Sequence, residues 1–88
     1  MTARVVLYGR PGCCLCDDAR VVLEAVRRRR PFELIERDIE ADEELLKAYL
    51  ERIPVVEIDG REAFELFVDE AELDRRLAAS EGADGAVE

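Results

Sequence analysis

Short blocks of apolar residues, separated by glycine, proline and charged residues, divide this chain into predicted strands and helices. The first block, Val5–Tyr8, is a continuous apolar run rich in β-branched residues, and Gly9–Gly12 follows it at once. A short run of this kind predicts a strand that is buried on both faces. Across Cys13–Val26 the apolar residues recur at helical spacing, and the basic run Arg27–Arg30 followed by Pro31 marks the end of a helix. The chain is therefore predicted to open with a strand and a helix that begins at its cysteines.

The next two segments continue the alternation of strand and helix. Residues 32–38 begin with the alternating pattern of a strand. Strand, helix and strand within about 35 residues fit a right-handed βαβ unit, so the first two strands should be parallel. Asp42 can cap a second, short helix that ends near Glu51 and has an apolar stripe including Leu45 and Tyr49.

The last third of the chain predicts a hairpin and a final helix. Val55–Ile58 and Arg61–Val68 flank the dipeptide Asp59-Gly60, which suits the positive φ angles of a tight type I′ turn. The two strands of this hairpin should be antiparallel. Asp69 begins a capping-box pattern, and the helix it opens carries an apolar stripe that includes Leu73.

These elements give the order β-α-β-α-β-β-α, an α/β arrangement in which helices can cover a four-stranded mixed sheet. We predict one domain over residues 1–80. Residues 81–88 are small, acidic and contain glycine, so we expect a flexible acidic tail there.

Composition and charge exclude several classes of function. The 88 residues carry a formal net charge of −9, which disfavours binding to the phosphates of nucleic acids. No apolar run approaches the roughly 20 residues that span a bilayer, and the N-terminus lacks the pattern of a secretory leader, so we expect a cytoplasmic protein without membrane contact. Histidine is absent, and Thr2 and Ser80 are the single threonine and serine, which excludes triad hydrolysis and histidine metal sites.

The candidate chemistry is therefore concentrated in three cysteines within four residues, Cys13, Cys14 and Cys16. Cys13 and Cys16 are three positions apart at a predicted helix start, which places them on one face within disulfide range. The positive end of the helix dipole favours a thiolate there, with Arg10 as a further source of positive charge and Asp17 opposing it. We predict attack by Cys13 on a disulfide and resolution by Cys16, without a cofactor or a metal.

Two alternatives to this redox hypothesis stay open. The three thiols could bind Cu(I) or part of an iron-sulfur cluster, although clusters normally need four thiolates. The domain could also be a non-catalytic interaction module whose thiols are idle. In the redox hypothesis Cys14 has no role.

The segment Arg10-Pro11-Gly12-Cys13-x-x-Cys16 after a strand, a helix, and Ile53-Pro54-Val55 before a hairpin together resemble glutaredoxins and thioredoxin-like proteins. The resemblance covers roughly residues 5–77 and is strongest to a bacterial glutaredoxin-like branch that has an Arg-Ile-Pro-Val segment. It implies a thioredoxin-like fold of the glutaredoxin type and a thiol-disulfide oxidoreductase.

The same resemblance implies a substrate-binding site. Pro54 would be cis and face the disulfide, and the backbone of Ile53 would pair with a substrate peptide or with glutathione. Arg10, Arg52 and Asp69 would complete the binding site.

The partners implied are protein disulfides or small mixed disulfides, with glutathione or a thioredoxin-type protein as reductant. For so small and acidic a domain we expect a monomer. This sequence differs from the usual glutaredoxin pattern at two places that bear on the use of glutathione as co-substrate. Leu15 replaces the usual aromatic residue between the cysteines, and the glycine pair usual before the last helix is missing from Glu65–Val68.

Overall fold

The fold of the chain was analysed in a computed structural model that describes residues 3–86, with side chains described for residues 3–79. Its elements, in chain order, are strand β1 (Arg4–Gly9), helix α1 (Cys14–Arg29), strand β2 (Glu33–Asp38), a 3₁₀ turn (Ile39–Ala41), helix α2 (Glu43–Tyr49), strand β3 (Val55–Ile58), strand β4 (Arg61–Glu65) and helix α3 (Glu70–Ala86). This is the predicted order β-α-β-α-β-β-α, and the prediction is confirmed.

The four strands form one mixed sheet in the order β2-β1-β3-β4. β1 is parallel to β2 and antiparallel to β3, and β3 is antiparallel to β4. Both strand orientations that the sequence predicts are therefore correct. The central strand β1 ends at Gly9, and the segment that follows it leads directly to the cysteines.

Short sequence motifs determine where helix α2 begins and where the β3–β4 hairpin turns. Asp42 accepts hydrogen bonds from the backbone N–H groups of Glu44 and Leu45 at the start of α2. The hairpin turn has φ angles of 51° at Asp59 and 86° at Gly60, the pair of positive values that a type I′ turn requires. These predicted caps and turns are all present.

The predicted end of β4 is wrong, and α3 runs further along the chain than expected. β4 ends at Glu65 and does not continue to Val68, because Leu66 adopts a φ of 73° and turns its N–H towards the carbonyls of Arg52 and Pro54. α3 continues past the predicted domain boundary at residue 80 to Ala86, where the sequence predicts a frayed tail. A helix can continue in this way because each added N–H needs only the carbonyl four residues earlier. Residues 87 and 88 lie outside the described residues, and the flexibility of the segment stays a prediction.

The sheet separates two apolar clusters of different size. On the face covered by α1 and α3, which we call the main face, side chains from both helices pack against those of β1 and β3. On the opposite face, which we call the cysteine face, Val6, Tyr8 and Val55 pack with Cys16, Ile53 and the partly buried residues of α2. The cysteine face is the thinner layer, because no residue of α2 is fully buried.

Within the described part of the chain, no helix is both long enough and apolar enough to cross a bilayer.

Candidate functional site

Cys13 lies at the N-terminus of α1, where it is the capping residue. Its backbone is extended, with φ −92° and ψ 113°, and its Sγ accepts a hydrogen bond from the N–H of Cys16 at 3.2 Å. Its carbonyl accepts the first helical hydrogen bond, from the N–H of Asp17 at 3.1 Å. A helix N-terminus leaves amide donors unpaired and has a positive partial charge, so both features favour a negatively charged sulfur at this position.

The three cysteines differ in their exposure. Cys16 is 1% exposed, Cys13 is partly buried and Cys14 is exposed, and all three are free thiols. As the sequence predicts, Cys13 is the more accessible member of the Cys13–Cys16 pair. Cys14 is exposed to solvent, and its lack of a role in the redox hypothesis stays a prediction.

Cys16 is packed against Gly9, the last residue of β1. A Cβ atom at Gly9 would lie 2.8 Å from Sγ of Cys16 and 3.2 Å from its Cβ, closer than real Cβ contacts allow. Sequence reasoning took Gly9 only as the end of a strand and missed this contact. The glycine at the end of the first strand, four residues before Cys13, is the signal that could have pointed to it.

Burial also determines the acidity of the second thiol. Loss of solvation, followed by the hydrogen bond with the Cys13 side chain, raises the pKa of Cys16 from 9.0 to about 11, while the backbone N–H of Arg10 acts in the opposite direction. The Cys16 thiol is therefore protonated at neutral pH. The pair combines a thiol at the helix terminus that is partly accessible with a second, buried thiol that keeps its proton.

The Ile53–Pro54 segment lies next to the cysteines. The Ile53–Pro54 peptide bond is cis, and Ile53 belongs to the same apolar cluster as Cys16, against which Cys13 also packs. Pro54 is fully buried. The N–H of Leu66 donates to the carbonyls of Arg52 at 3.1 Å and Pro54 at 2.8 Å, whereas the backbone of Ile53 has no hydrogen-bond partner among the described residues.

Both predicted substrate-binding arginines are ion-paired within the chain. Nη2 of Arg10 lies 2.8 Å from Oε2 of Glu40. Arg52 contacts the carboxylates of Glu62 and Glu65 and lies over the ring of Tyr49, 5.3 Å from its centroid. Each arginine would have to exchange a carboxylate for a substrate anion in order to bind it.

Asp69 acts as the cap of α3. Its Oδ1 accepts hydrogen bonds from the N–H groups of Ala71 at 3.0 Å and Glu72 at 3.2 Å. This is the structural role that the capping-box pattern predicts. A substrate contact by Asp69 stays a prediction.

An open cleft of about 260 Å³ lies beside Cys16, beyond the ends of the parallel strands β1 and β2. Its walls include Gly9, Arg10 and Cys16. Arg20, which also lines the cleft, is held by Asp17 and Glu36, both at 2.9 Å. The charges of this cleft are thus balanced within the chain.

Two tyrosines form a polar contact on the cysteine face that sequence reasoning did not identify. Tyr8 and Tyr49 stack with ring centroids 4.7 Å apart, and the hydroxyl of Tyr8 donates to Oε1 of Glu57 at 3.2 Å. Burial, followed by the charge of Glu57, raises the pKa of Tyr8. Tyr8 is therefore a neutral packing residue, as its place in an apolar strand predicts.

The geometry of the thiols bears on the metal-binding alternative. Among the described residues, no group of three or more cysteine or carboxylate side chains is arranged to hold a metal ion. The three thiols also differ in exposure, since Cys14 is exposed while Cys16 is buried. No arrangement in the described part of the chain favours a Cu(I) or iron-sulfur site.

Comparison with known protein families matches residues 4–78 to the model of a glutaredoxin-like domain (DUF836). The chain belongs to this glutaredoxin-like family. No curated protein sequence matches it. The family assignment confirms the resemblance that the cysteine and proline motifs suggested, and a glutaredoxin-like domain on a thioredoxin fold points to a redox function in the broad sense.

Solved structures agree with this assignment. Protein Ne2328 from Nitrosomonas europaea is 29% identical and superposes with a TM-score of 0.77 over 88% of this chain and 93% of its own. Protein XcR50 from X. campestris is 33% identical, with a TM-score of 0.72 over 85% of this chain and 96% of its own. Chloroplastic thioredoxin z is 15% identical with a TM-score of 0.75 over 92% of this chain and 80% of its own, a likeness of fold alone. The predicted thioredoxin-like fold class is thereby confirmed for this glutaredoxin-like protein.

Proposed function

We propose that this protein is a thiol-disulfide oxidoreductase in which Cys13 attacks a disulfide and Cys16 resolves the product. The observation that carries the proposal is the hydrogen bond of 3.2 Å from the Cys16 N–H to Cys13 Sγ at the N-terminus of α1. A sulfur in this position can leave or attack as a thiolate that an amide and the helix dipole stabilise.

The reaction proceeds by two exchanges in which atoms and electrons balance. The Cys13 thiolate attacks one sulfur of the substrate disulfide, so that a Cys13–substrate disulfide forms and the other substrate sulfur leaves as a thiolate. Cys16 then loses its proton to solvent and attacks Cys13, which releases the second substrate thiolate and forms the Cys13–Cys16 disulfide. The substrate gains two electrons and the protein loses two.

The raised pKa of Cys16 supports an order of reaction in which Cys13 attacks first. A buried thiol that keeps its proton to about pH 11 is a poor first nucleophile. It lies in the same apolar cluster as Cys13, however, so the second exchange is intramolecular and has a high effective concentration. This separation of roles supports Cys13 as the attacking group and Cys16 as the resolving group.

Protein or peptide disulfides suit the surroundings better than glutathione does. Glutathione carries a net negative charge, and the two arginines expected to attract it, Arg10 and Arg52, are already paired with carboxylates. An extended peptide could instead use the free backbone groups of Ile53 for a short β-bridge. An external monothiol or dithiol then recycles the protein, and a cytoplasmic location would keep the pair reduced between turnovers.

The test is a set of three serine variants assayed for reduction of a protein disulfide such as that of insulin, with dithiothreitol as the final reductant. Cys13→Ser should lose all activity above the uncatalysed rate. Cys16→Ser, incubated with the substrate in the absence of dithiothreitol, should react once and then accumulate a mixed disulfide, visible as the added mass of one substrate molecule.

Cys14→Ser is the matched control, because it removes an adjacent, exposed thiol and should retain the wild-type rate. Wild-type activity in Cys13→Ser, or loss of activity in Cys14→Ser alone, would contradict the mechanism.

A further inference from the structure

The second exchange of the proposed reaction needs a thiolate at a buried position. Cys16 is almost completely buried, and loss of solvation, followed by the hydrogen bond with Cys13, raises its pKa to about 11. At neutral pH only about one Cys16 thiol in ten thousand is then ionised. A group that stabilises this thiolate would raise the rate of the second exchange, because the gain in thiolate outweighs the smaller loss of nucleophilicity.

The cleft beside Cys16 brings a cation to this thiol. Arg20 lies four residues after Cys16 in α1, one turn further along the same face of the helix, and both residues line the cleft. The cleft is open to solvent, so a proton that leaves Cys16 has a route to water. The two requirements of the second exchange, a proton acceptor and a counter-charge for sulfur, therefore meet in one cleft.

Two carboxylates from different elements hold Arg20 in place. Its Nε donates to Oε1 of Glu36 on β2 and its Nη1 donates to Oδ1 of Asp17 on α1, both at 2.9 Å, while Nη2 takes part in neither bond. The side chains of Asp17 and Glu36 are 69% and 46% exposed, so solvent screens their charges. After the larger, opposing effects of burial and Cys13, the charge of Arg20 lowers the pKa of Cys16.

The other titratable groups around Cys16 are engaged elsewhere or neutral. Arg10 acts on the thiol through its backbone N–H, while its side chain is paired with Glu40. Tyr8 and Tyr49 belong to the same apolar cluster as Cys16, and burial, followed by the charge of Glu57, raises the pKa of each. The charged residues that β2 contributes to the cleft are Glu36, Arg37 and Asp38. None of these groups is a cation on the same helix as the thiol.

We propose that Arg20 is a positioning residue for the resolving step, in which its guanidinium, held beside the cleft by Asp17 and Glu36, stabilises the thiolate of Cys16. The proposal rests on the proposed function, because it assigns a group that serves the second exchange. Cys16 releases its proton to water in the cleft, and its sulfur then bonds to Sγ of Cys13. The bond between Cys13 and the substrate breaks, and its electron pair leaves on the substrate sulfur. Arg20 acts through Cys16 and not on the substrate.

Dithiodipyridine, an uncharged aromatic disulfide, separates the two exchanges in one experiment. Attack by Cys13 releases one thiopyridone at a rate that depends on the reagent concentration, and attack by Cys16 releases the second at a rate that does not. Stopped-flow absorbance resolves the two phases between pH 7 and pH 9. Every protein carries Cys14→Ser, so that only the Cys13–Cys16 pair reacts. Because the reagent is uncharged, the first phase should not respond to the charge of Arg20.

Arg20→Gln should slow the second phase about twofold and leave the first phase unchanged. Arg20→Lys keeps the positive charge and should restore the parental rate. In protein labelled with ¹³C-cysteine, the chemical shift of the Cys16 Cβ against pH gives the titration midpoint of this thiol directly. Arg20→Gln should move that midpoint upward by about half a pH unit, and Arg20→Lys should leave it near the parental value.

Arg29→Gln is the matched control. Arg29 is a half-exposed arginine of the same helix that is ion-paired with Glu70 at 3.0 Å, and it lies about 20 Å from Cys16 along the helix axis. Its substitution removes the same charge and also breaks an ion pair. Both phases and the Cys16 midpoint should therefore stay at their parental values.

An unchanged second phase in Arg20→Gln, equal slowing in Arg29→Gln, or failure of Arg20→Lys to restore the rate would overturn the assignment of Arg20. A slower second phase with an unchanged Cys16 midpoint would also overturn it, because Arg20 would then have a structural role only. Failure of the proposed function has a different signature. The parent protein would then show no second phase, while the Cys16 midpoint would still respond to Arg20.

Discussion

The two faces of the sheet differ in what their buried residues do. The main face is filled by α1 and α3, with side chains such as Leu23 and Leu73 completely buried among other apolar groups. The cysteine face is covered by the seven-residue helix α2 and contains a thiol, stacked tyrosines and the Ile53–Pro54 segment. Most of the fully buried apolar side chains therefore lie on one face, and the candidate thiol pair lies on the other.

A matched pair of leucine truncations, one on each face, tests most directly whether the two faces contribute differently to stability. Leu73→Ala on the main face should lower the free energy of unfolding by about 3 kcal/mol, because Leu73 is fully buried and a cavity remains. Leu45→Ala on the cysteine face should cost about 1 kcal/mol, because Leu45 is only partly buried. Urea denaturation of the reduced protein measures both values, and equal losses would remove the distinction between the faces.

A methyl group added at Gly9 tests how tightly Cys16 is packed. Gly9→Ala should cost about 2 to 3 kcal/mol, because the new Cβ would lie 2.8 Å from Sγ of Cys16. In a Cys16→Ala background the sulfur is gone and the same substitution should cost less than about 1 kcal/mol. Chemical denaturation of the four proteins in this double-mutant cycle gives the coupling free energy between positions 9 and 16. An equal cost of Gly9→Ala in both backgrounds would show that the loss of stability arises elsewhere in the strand.

The buried thiol predicts a pH dependence of stability in the reduced protein. Because the pKa of Cys16 is raised from 9.0 to about 11, the folded protein holds this proton more tightly than the unfolded chain does. Stability is therefore complete below about pH 9 and falls as the pH rises towards 11, by about 2 kcal/mol. Thermal or urea unfolding between pH 7 and 11 measures how the stability changes with pH. Cys16→Ser lacks the titrating thiol and should show a smaller loss, and a loss equal to that of the wild type would assign the dependence to other groups.

The smallest of these effects concerns the cap of α3, the helix that closes the main face. Asp69→Ala should lower the free energy of unfolding by about 1 kcal/mol, because two backbone N–H groups lose their acceptor. Asp69→Asn keeps an oxygen acceptor and should retain most of that stability in the same denaturation assay. If Asp69→Asn and Asp69→Ala lower the free energy of unfolding equally, the charge of Asp69 and not its hydrogen bonds stabilises the helix.

Most of the fold could be predicted because its signals are local. The caps at Asp42 and Asp69 and the Asp59-Gly60 turn each depend on hydrogen bonds or φ angles within a few residues, and all three appear in the structure. The apolar strand β1 and the helix after it likewise predict a βαβ unit. The predicted end of β4 was wrong because no glycine or proline follows Glu65 to mark the stop, whereas α3 continues past residue 80 although Gly82 and Gly85 lie there.

The candidate site could be predicted only in part. The spacing of Cys13 and Cys16 and the start of α1 identify the candidate pair, since both are short-range properties of the sequence. Arg10 and Arg52, in contrast, were expected to attract substrate and prove to be engaged by carboxylates of other segments. Ion pairs between distant segments depend on the folded arrangement, which composition does not reveal.

The sequence by itself determined the order of the elements and the place of Cys13 at a helix N-terminus, because both follow from patterns within one or two turns of chain. Only the tertiary structure decided that Cys16 is buried against Gly9 and that Leu66 is held exposed at a positive φ. Burial depends on which segments meet across the sheet. The conformation of Leu66 depends on carbonyls of the distant Arg52 and Pro54. These long-range contacts turn a recognisable cysteine motif into a site with two unlike thiols.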